Sequence, residues 1–252
     1  MTWQVHTAQL EITWPEPRHV VGLSGGGDST AMALLLADTE PRDYTYICNW
    51  TGNEPPDLFS HLAHLETILG KPIHHVGCGL DLFGVIDQAK MIPNFKARFC
   101  TRMLKIEPTI EYFEGLPAGS VLYVGLLKGE EEREGLFGEG ITCRFPLKEL
   151  GWEKKDVFAY NRSRNVSIPK RTDCLLCPYQ RIQQWFECWR DHPEVYARGV
   201  AVEAKYGHTF RSAGRDTWPA SLAEMGAEFA RGRKVRPYVK KNETEICRAC
   251  TL

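Results

Sequence analysis

A glycine-rich loop near the amino terminus constrains the fold of this chain more than any other feature. Its sequence is SGGGDS, and it lies between a short apolar run at residues 19–23 and strong helix formers at residues 30–37. The apolar run predicts a buried strand and the second segment predicts a helix. Glycines let the backbone approach a ligand closely, and the N–H groups that begin a helix attract anions. The loop therefore predicts a phosphate site; a plain turn capped by Asp28 or Ser29 is the alternative.

Predicted strands and helices alternate along the first two-thirds of the chain. Further strands are predicted at residues 44–50, 73–76, 121–125 and 141–146, and helices at residues 57–69, 102–113 and 153–162. This alternation favours an α/β fold, in which helices cover both faces of a parallel twisted sheet. Ligands of such sheets bind beyond the carboxyl ends of the strands, which is where the glycine loop lies.

The pattern changes near residue 165, where cysteines, tryptophans and short helices replace strands. We therefore predict a nucleotide-binding domain over residues 1–165. Residues 166–252 are predicted to form a helical region with CxxC motifs, packed against that domain.

Nine cysteines in a chain without a recognisable secretion signal direct attention to metal or redox chemistry, because disulfides are rare inside cells. Cys174 and Cys177 form a CxxCP motif, which can bind one metal ion or one edge of an iron–sulfur cluster. Structural zinc is the alternative. Cys247 and Cys250 form a second CxxC near the carboxyl terminus, either idle or a redox dithiol. The context of the others predicts burial; these are Cys48, Cys78, Cys143 and Cys188.

Composition excludes several classes of protein. The net charge is −1, and no apolar run approaches the ~20 residues of a membrane helix. We expect a cytoplasmic protein without a membrane partner. Beyond residue 230 the chain is basic, with seven lysines and arginines against Glu243 and Glu245. This tail is either a solvated surface or a contact for nucleic acid or another anion.

Several ordered motifs together resemble one known family. Residues 24–29 are similar to the SGGxDS phosphate loop of the PP-loop ATP pyrophosphatase superfamily. Residues 49–55 (NWTGNEP), 99–105 (FCTRMLK), 125–133 and 146–157 resemble successive motifs of its phosphoadenosine phosphosulfate (PAPS) reductase family. Residues 174–178 (CLLCP) resemble the CxxCP of members that carry a cluster. One residue departs from the pattern, because Leu127 stands where the family has a phosphate-binding arginine; Lys128 is the candidate replacement.

The resemblance implies an adenine nucleotide alpha hydrolase-like fold that binds ATP and Mg²⁺. The implied nucleotide-binding residues are Ser24, Gly25, Gly26, Gly27, Asp28, Ser29, Thr51, Gly52, Lys105, Glu130 and Arg133. Asp28 either helps to hold Mg²⁺ or caps the helix. The implied ligands of a [4Fe–4S] cluster with one open iron are Cys100, Cys174 and Cys177, and Cys247 or Cys250 could complete the site.

Three functions follow from the resemblance. The preferred one is adenylation of a nucleic acid or small acceptor with pyrophosphate release, followed by sulfur transfer. Asp28, Ser29, Cys247 and Cys250 are its candidate catalytic residues, and a cysteine desulfurase or thioredoxin-like protein would supply sulfur. The second is reduction of PAPS or adenosine phosphosulfate to sulfite, although the chain ends in EICRACTL without the family's ECGxH motif. The third is a silent nucleotide-binding subunit. The sequence leaves the oligomeric state open.

Overall fold

Five parallel strands form the single sheet of the computed structural model, which describes residues 16–237. The strands are β1 (His19–Gly22), β2 (Tyr44–Cys48), β3 (Ile73–His75), β4 (Val121–Tyr123) and β5 (Thr142–Arg144). Their order across the sheet is β3-β2-β1-β4-β5, and every neighbouring pair is parallel. The chain thus leaves β1 towards one edge and returns to β4 on the other side, which places a ligand crevice at the carboxyl end of β1.

Helices connect the strands and build the carboxyl-terminal part. Those of the first part are α1 (Gly27–Thr39), α2 (Pro56–Leu69), α3 (Leu82–Ala89), α4 (Phe99–Thr101), a π-helix (Arg102–Ile106), α5 (Glu107–Glu114), a 3₁₀ segment (Glu131–Phe137), α6 (Pro146–Glu149) and α7 (Lys154–Ser163). Then follow α8 (Ile182–Asp191), α9 (Pro193–Tyr206) and α10 (Leu222–Ala230).

Alternate residues of the strands enter two different apolar cores. Val21 and Tyr123 pack with α1 on one face of the sheet, and Val20 and Leu122 pack with Phe113 of α5 on the other. Period-two alternation of side chains explains this division, because successive residues of a strand point to opposite faces. The expected α/β fold, a parallel sheet with helices on both faces, is confirmed.

A third apolar core joins the carboxyl-terminal helices to the middle of the chain. Trp185 of α8 and Met225 of α10 are fully buried in it, together with Ile86 of α3 and Leu104 of the π-helix. The segment that carries Cys100 and the segment that carries the CxxCP motif therefore pack in one core.

The structure refines the expected secondary structure. Helix α3 was not expected, whereas the helix expected at residues 102–113 is present and has the π-helix as its first part. The N–H of Glu107 there bonds to the carbonyl of Arg102, five residues earlier. Pro108 follows at once and has no N–H for the carbonyl of Leu104, so the backbone cannot continue the regular pattern at this point. Within residues 16–237, no helix is both long and apolar enough to cross a membrane.

Candidate functional site

A cleft opens at the carboxyl end of the sheet, between β1, β2, the π-helix and the CxxCP segment. The lining includes four cysteines, the first residue of the glycine loop and several polar groups: Ser24, Cys48, Asn49, Thr51, Glu54, Cys100, Thr101, Lys105, Thr172, Asp173, Cys174 and Cys177. The cleft thus brings Ser24, the first residue of the predicted phosphate loop, and the three predicted metal ligands into one cavity.

The glycine loop has the geometry of an anion site. Gly25 has φ +75°, which turns the chain sharply after β1, and Gly26 is the N-cap of α1. Within the described part of the chain no side chain caps α1, so capping by Asp28 or Ser29 is wrong. The Ser29 hydroxyl instead donates to the Gly26 carbonyl at 3.1 Å and lies 3.1 Å from the Ser24 hydroxyl. The first N–H groups of α1 are left to bind an anion.

Close packing from two sides fixes this loop. A β-carbon on Gly25 would lie 2.5 Å from Cδ1 of Leu58 in α2. A β-carbon on Gly125, just after β4, would lie 3.0 Å from the Ser29 nitrogen. These approaches explain the glycine at position 125, which opens one of the family-like motifs.

Charge near the loop is partly neutralised. Both carboxylate oxygens of Asp28 bind the Lys154 ammonium, at 2.6 and 2.5 Å. His61 accepts or donates a 3.3 Å hydrogen bond with the Thr30 hydroxyl, and burial lowers the His61 pKa to about 4. His61 is therefore neutral at pH 7. The expected roles of Asp28 in catalysis and in holding Mg²⁺ stay predictions.

The loop after β2 carries a buried acid that sequence reasoning missed. One oxygen of Glu54 accepts the Thr51 N–H at 2.6 Å. The other oxygen is buried and has no hydrogen-bond partner among residues 16–237, and it belongs to a side chain on the cleft wall. Gly52 has φ +80° and packs against Asp81. A bound ligand could satisfy the Glu54 oxygen, because an unpaired buried acceptor is costly.

Three predicted metal ligands, Cys100, Cys174 and Cys177, reach the cleft together. The Cys177 N–H bonds to the Cys174 carbonyl at 3.1 Å, which makes the CxxCP segment a tight turn. Burial raises the pKa of Cys177 to about 12 and that of Cys174 well above its ordinary value. Burial also raises the Cys100 pKa, against the opposing effect of the Lys105 ammonium.

These thiols fit an iron–sulfur cluster by their chemistry, since a cluster is held by cysteine thiolates and its binding drives their deprotonation. Within residues 16–237, no three cysteine, histidine or acidic side chains are arranged around a metal position. Cluster binding therefore stays a proposal.

The remaining cysteines divide unevenly. Cys48 and Cys188 are buried as expected, whereas Cys78 is exposed, so its expected burial is wrong. Cys143 is half-buried. Cys48 also lines the cleft as a fourth thiol. The sequence did not indicate this position, because Cys48 ends β2 and is far along the chain from the other three cysteines of the cleft.

The predicted nucleotide residues beyond β4 are not among the described residues that line this cavity. Glu130 is buried, with one oxygen on the Arg133 guanidinium at 2.5 Å and the other on the Leu127 N–H at 3.0 Å. Neither Glu130 nor Arg133 belongs to the cleft lining given by the described residues. Lys128 is exposed. Their contact with a ligand stays a prediction.

The tail is described only in part. Arg231 and Arg233 both pair with Glu228, at 2.6 and 3.1 Å. Cys247, Cys250 and the basic residues after 237 lie outside the described residues.

A clamp of aromatic and cationic side chains holds the CxxCP turn. The Tyr179 ring meets the Phe95 ring at 4.5 Å, and Arg215 lies over Phe95 at 4.7 Å. The Arg215 guanidinium donates to the carbonyls of Pro178 and Gln180, at 3.3 and 3.2 Å. Arg215 thereby ties a distant segment to the residues that follow Cys177.

Replacing Arg215 with alanine is expected to loosen this turn. Two donated bonds disappear, each worth about 1 kcal/mol or more. We expect faster labelling of Cys177 by N-ethylmaleimide in metal-free protein, followed by mass spectrometry, with partial restoration in Arg215→Lys. Arg190→Ala is the control, because Arg190 is exposed and pairs with its neighbour Asp191. Unchanged labelling in Arg215→Ala would show that the turn holds without the clamp.

The sequence matches no protein-family model and no curated protein. Among solved structures, it aligns with a U34-tRNA thiolase, NcsA from Methanococcus maripaludis, whose structure contains a [4Fe–4S] cluster. That alignment has 16% identity and a TM-score of 0.46, and covers 96% of this chain and 83% of the other. A phosphoadenylyl-sulfate reductase from Candida auris aligns at 16% identity and TM-score 0.44, over 62% and 76%. An NMN synthetase from Francisella tularensis aligns at 15% identity and TM-score 0.39, over 88% and 80%.

Proposed function

We propose that this chain is a PP-loop enzyme that uses ATP to activate an acceptor for sulfur transfer. The observation that carries the proposal is the shared cleft, in which Ser24 of the phosphate loop and the thiols of Cys100, Cys174 and Cys177 line one cavity. A nucleotide on the loop would therefore have its reacting end beside sulfur ligands. That arrangement suits a reaction that joins nucleotide cleavage to sulfur delivery.

The first step is adenylation. An acceptor oxygen attacks the α-phosphorus of ATP, so an O–P bond forms, the bond to the β-phosphate oxygen breaks, and pyrophosphate leaves. The N–H groups at the start of α1 stabilise the phosphate charge, and Lys105 supplies a cation from the cleft lining. Asp28 would contribute to Mg²⁺ binding after exchange of its Lys154 partner.

The second step replaces oxygen with sulfur. A hydrosulfide ion attacks the activated carbon; a cysteine desulfurase would supply it as a persulfide, which a thiol reductant cleaves with two electrons to release hydrosulfide. A C–S bond forms, the C–O bond to AMP breaks, and AMP leaves with the acceptor oxygen. Cys100, Cys174 and Cys177 would hold a [4Fe–4S] cluster, whose open iron would bind such a sulfur. A nucleic acid is the preferred acceptor.

The proposal is tested by the products of ATP cleavage. Anaerobic protein is incubated with ATP–Mg²⁺, sulfide and either transfer RNA or DNA. Attack at the α-phosphorus predicts equal amounts of AMP and pyrophosphate, dependent on one of the nucleic acids.

Two results would overturn this reading. ADP and phosphate would show attack at the γ-phosphorus. Absence of ATP cleavage with transfer RNA and with DNA would exclude these nucleic acids as the acceptor. In parallel, sulfite formed from PAPS or adenosine phosphosulfate with a thiol reductant would identify a reductase instead.

A further inference from the structure

The segment that leads to the CxxCP motif passes directly over the phosphate loop. Near the end of α7, Asn161 donates to the Gly27 carbonyl at 2.9 Å, and a β-carbon on Gly27 would lie 4.0 Å from Cγ1 of Ile168, which follows α7. The chain then reaches Thr172, whose hydroxyl would lie 3.6 Å from a β-carbon on Gly26. Residues 161–172 thus form a roof over the two glycines that begin α1.

Hydroxyl groups converge on the space that the missing side chain of Gly26 leaves open. A β-carbon there would lie 3.6 Å from the Ser24 hydroxyl as well as 3.6 Å from that of Thr172. Both residues line the cleft, and the Ser24 hydroxyl is 3.1 Å from that of Ser29. Gly26 is at the same time the N-cap of α1, beside its first N–H groups. The space is therefore bordered by hydrogen-bond donors from two separate segments.

We propose that Thr172 is a binding residue for the phosphates of the nucleotide, completing from the roof the site that the glycine loop forms from below. This inference rests on the proposed function, because it assumes that the loop binds a nucleotide. It adds a ligand contact from the cysteine-bearing segment to those that the loop and Lys105 provide.

The position of Thr172 also connects the nucleotide to the thiols. Thr172 precedes Cys174 by two residues, and a chain rises at most ~3.6 Å per residue, so the two are within about 7 Å along the backbone. The Leu175 N–H bonds to the Asn53 carbonyl at 2.7 Å, and the Arg171 guanidinium holds both the Asp173 carboxylate and the Cys174 carbonyl. These hydrogen bonds fix the segment that joins Thr172 to Cys174. Phosphate binding at Thr172 would therefore bear on the position of Cys174.

The test compares Thr172→Val, which removes the hydroxyl but keeps the shape, with Thr172→Ser, which keeps the hydroxyl. Binding of ATP–Mg²⁺, pyrophosphate and adenosine is measured by calorimetry. A hydrogen bond to a charged group predicts about tenfold weaker binding of ATP and pyrophosphate by Thr172→Val. Thr172→Ser should bind like the parent protein, and adenosine binding, which involves no phosphate, should not change.

Controls separate this inference from the function on which it rests. Thr67→Val removes an exposed hydroxyl that donates to the Ala63 carbonyl within α2, and it should bind like the parent protein. If the parent protein binds neither ATP nor pyrophosphate, the proposed function fails. If it binds both and Thr172→Val binds them equally well with an unchanged melting temperature, the Thr172 contact is refuted and the proposed function stands. Equal weakening of adenosine would mean that Thr172 only shapes the cleft, which also refutes the contact.

Discussion

Replacing Gly25 with alanine is expected to destabilise the protein by about 2–5 kcal/mol and to abolish nucleotide binding. Two costs add at this position. The left-handed backbone, with φ +75°, costs an L-residue about 1–2 kcal/mol. A β-carbon would also lie 2.5 Å from Leu58 Cδ1 and 3.3 Å from Leu62 Cδ2. Leu58 is 1% exposed and belongs to the apolar core, so overpacking adds about 1–3 kcal/mol.

A matched substitution separates the two costs. Gly70 ends α2 with φ +66°, and nothing lies within 4 Å of a β-carbon placed on it. Gly70→Ala should therefore show the backbone cost alone and keep nucleotide binding. Urea unfolding gives both free energies, and stabilisation by ATP–Mg²⁺ gives binding, because a ligand at ~100 times its Kd adds about 2.7 kcal/mol. Equal costs for the two substitutions would mean that α2 yields to Gly25→Ala and that the loop is not tightly packed.

The parts of this fold that the sequence predicts are those with local causes. The run at residues 19–23 is apolar and is soon followed by glycines, so the local sequence predicts a buried strand and then a turn. The same reasoning located the other strands and α1, α2 and α7. The π-helix escaped prediction because its extra residue per turn is not marked by hydrophobic spacing, and only Pro108 signals a break.

The candidate site depends on contacts between residues far apart in the chain, and this limits what sequence reasoning can recover. The motif resemblance identified Lys105, Cys100 and the CxxCP pair, all of which line the cleft. Cys48 and Glu54 were missed because their importance arises only when β2 lies beside the CxxCP segment. The contact of Thr172 with the glycine loop has the same origin, since residues 26 and 172 meet only when α7 packs against α1.

Substituting Cys174 with alanine is expected to remove the iron and sulfide of anaerobically purified protein, which should be brown. The proposed cluster is held by three thiolates, and the loss of one leaves too few to retain it. The backbone around Cys174 is fixed by the Leu175 and Cys177 hydrogen bonds, so alanine should delete the sulfur without moving the turn. Iron and acid-labile sulfide per chain, together with the visible absorption spectrum, measure the effect.

Cys143→Ala is the matched control for the loss of one thiol. Cys143 lies in β5, is half-buried, and has a pKa raised by burial to about 11, but it is not on the cleft wall. Its removal should therefore leave iron, sulfide and colour as in the parent protein. A colourless parent protein with one zinc per chain would show that the cysteines form a structural zinc site and not a cluster site. Full iron content in Cys174→Ala would instead show that the metal binds elsewhere, and the shared cleft would lose its role in sulfur delivery.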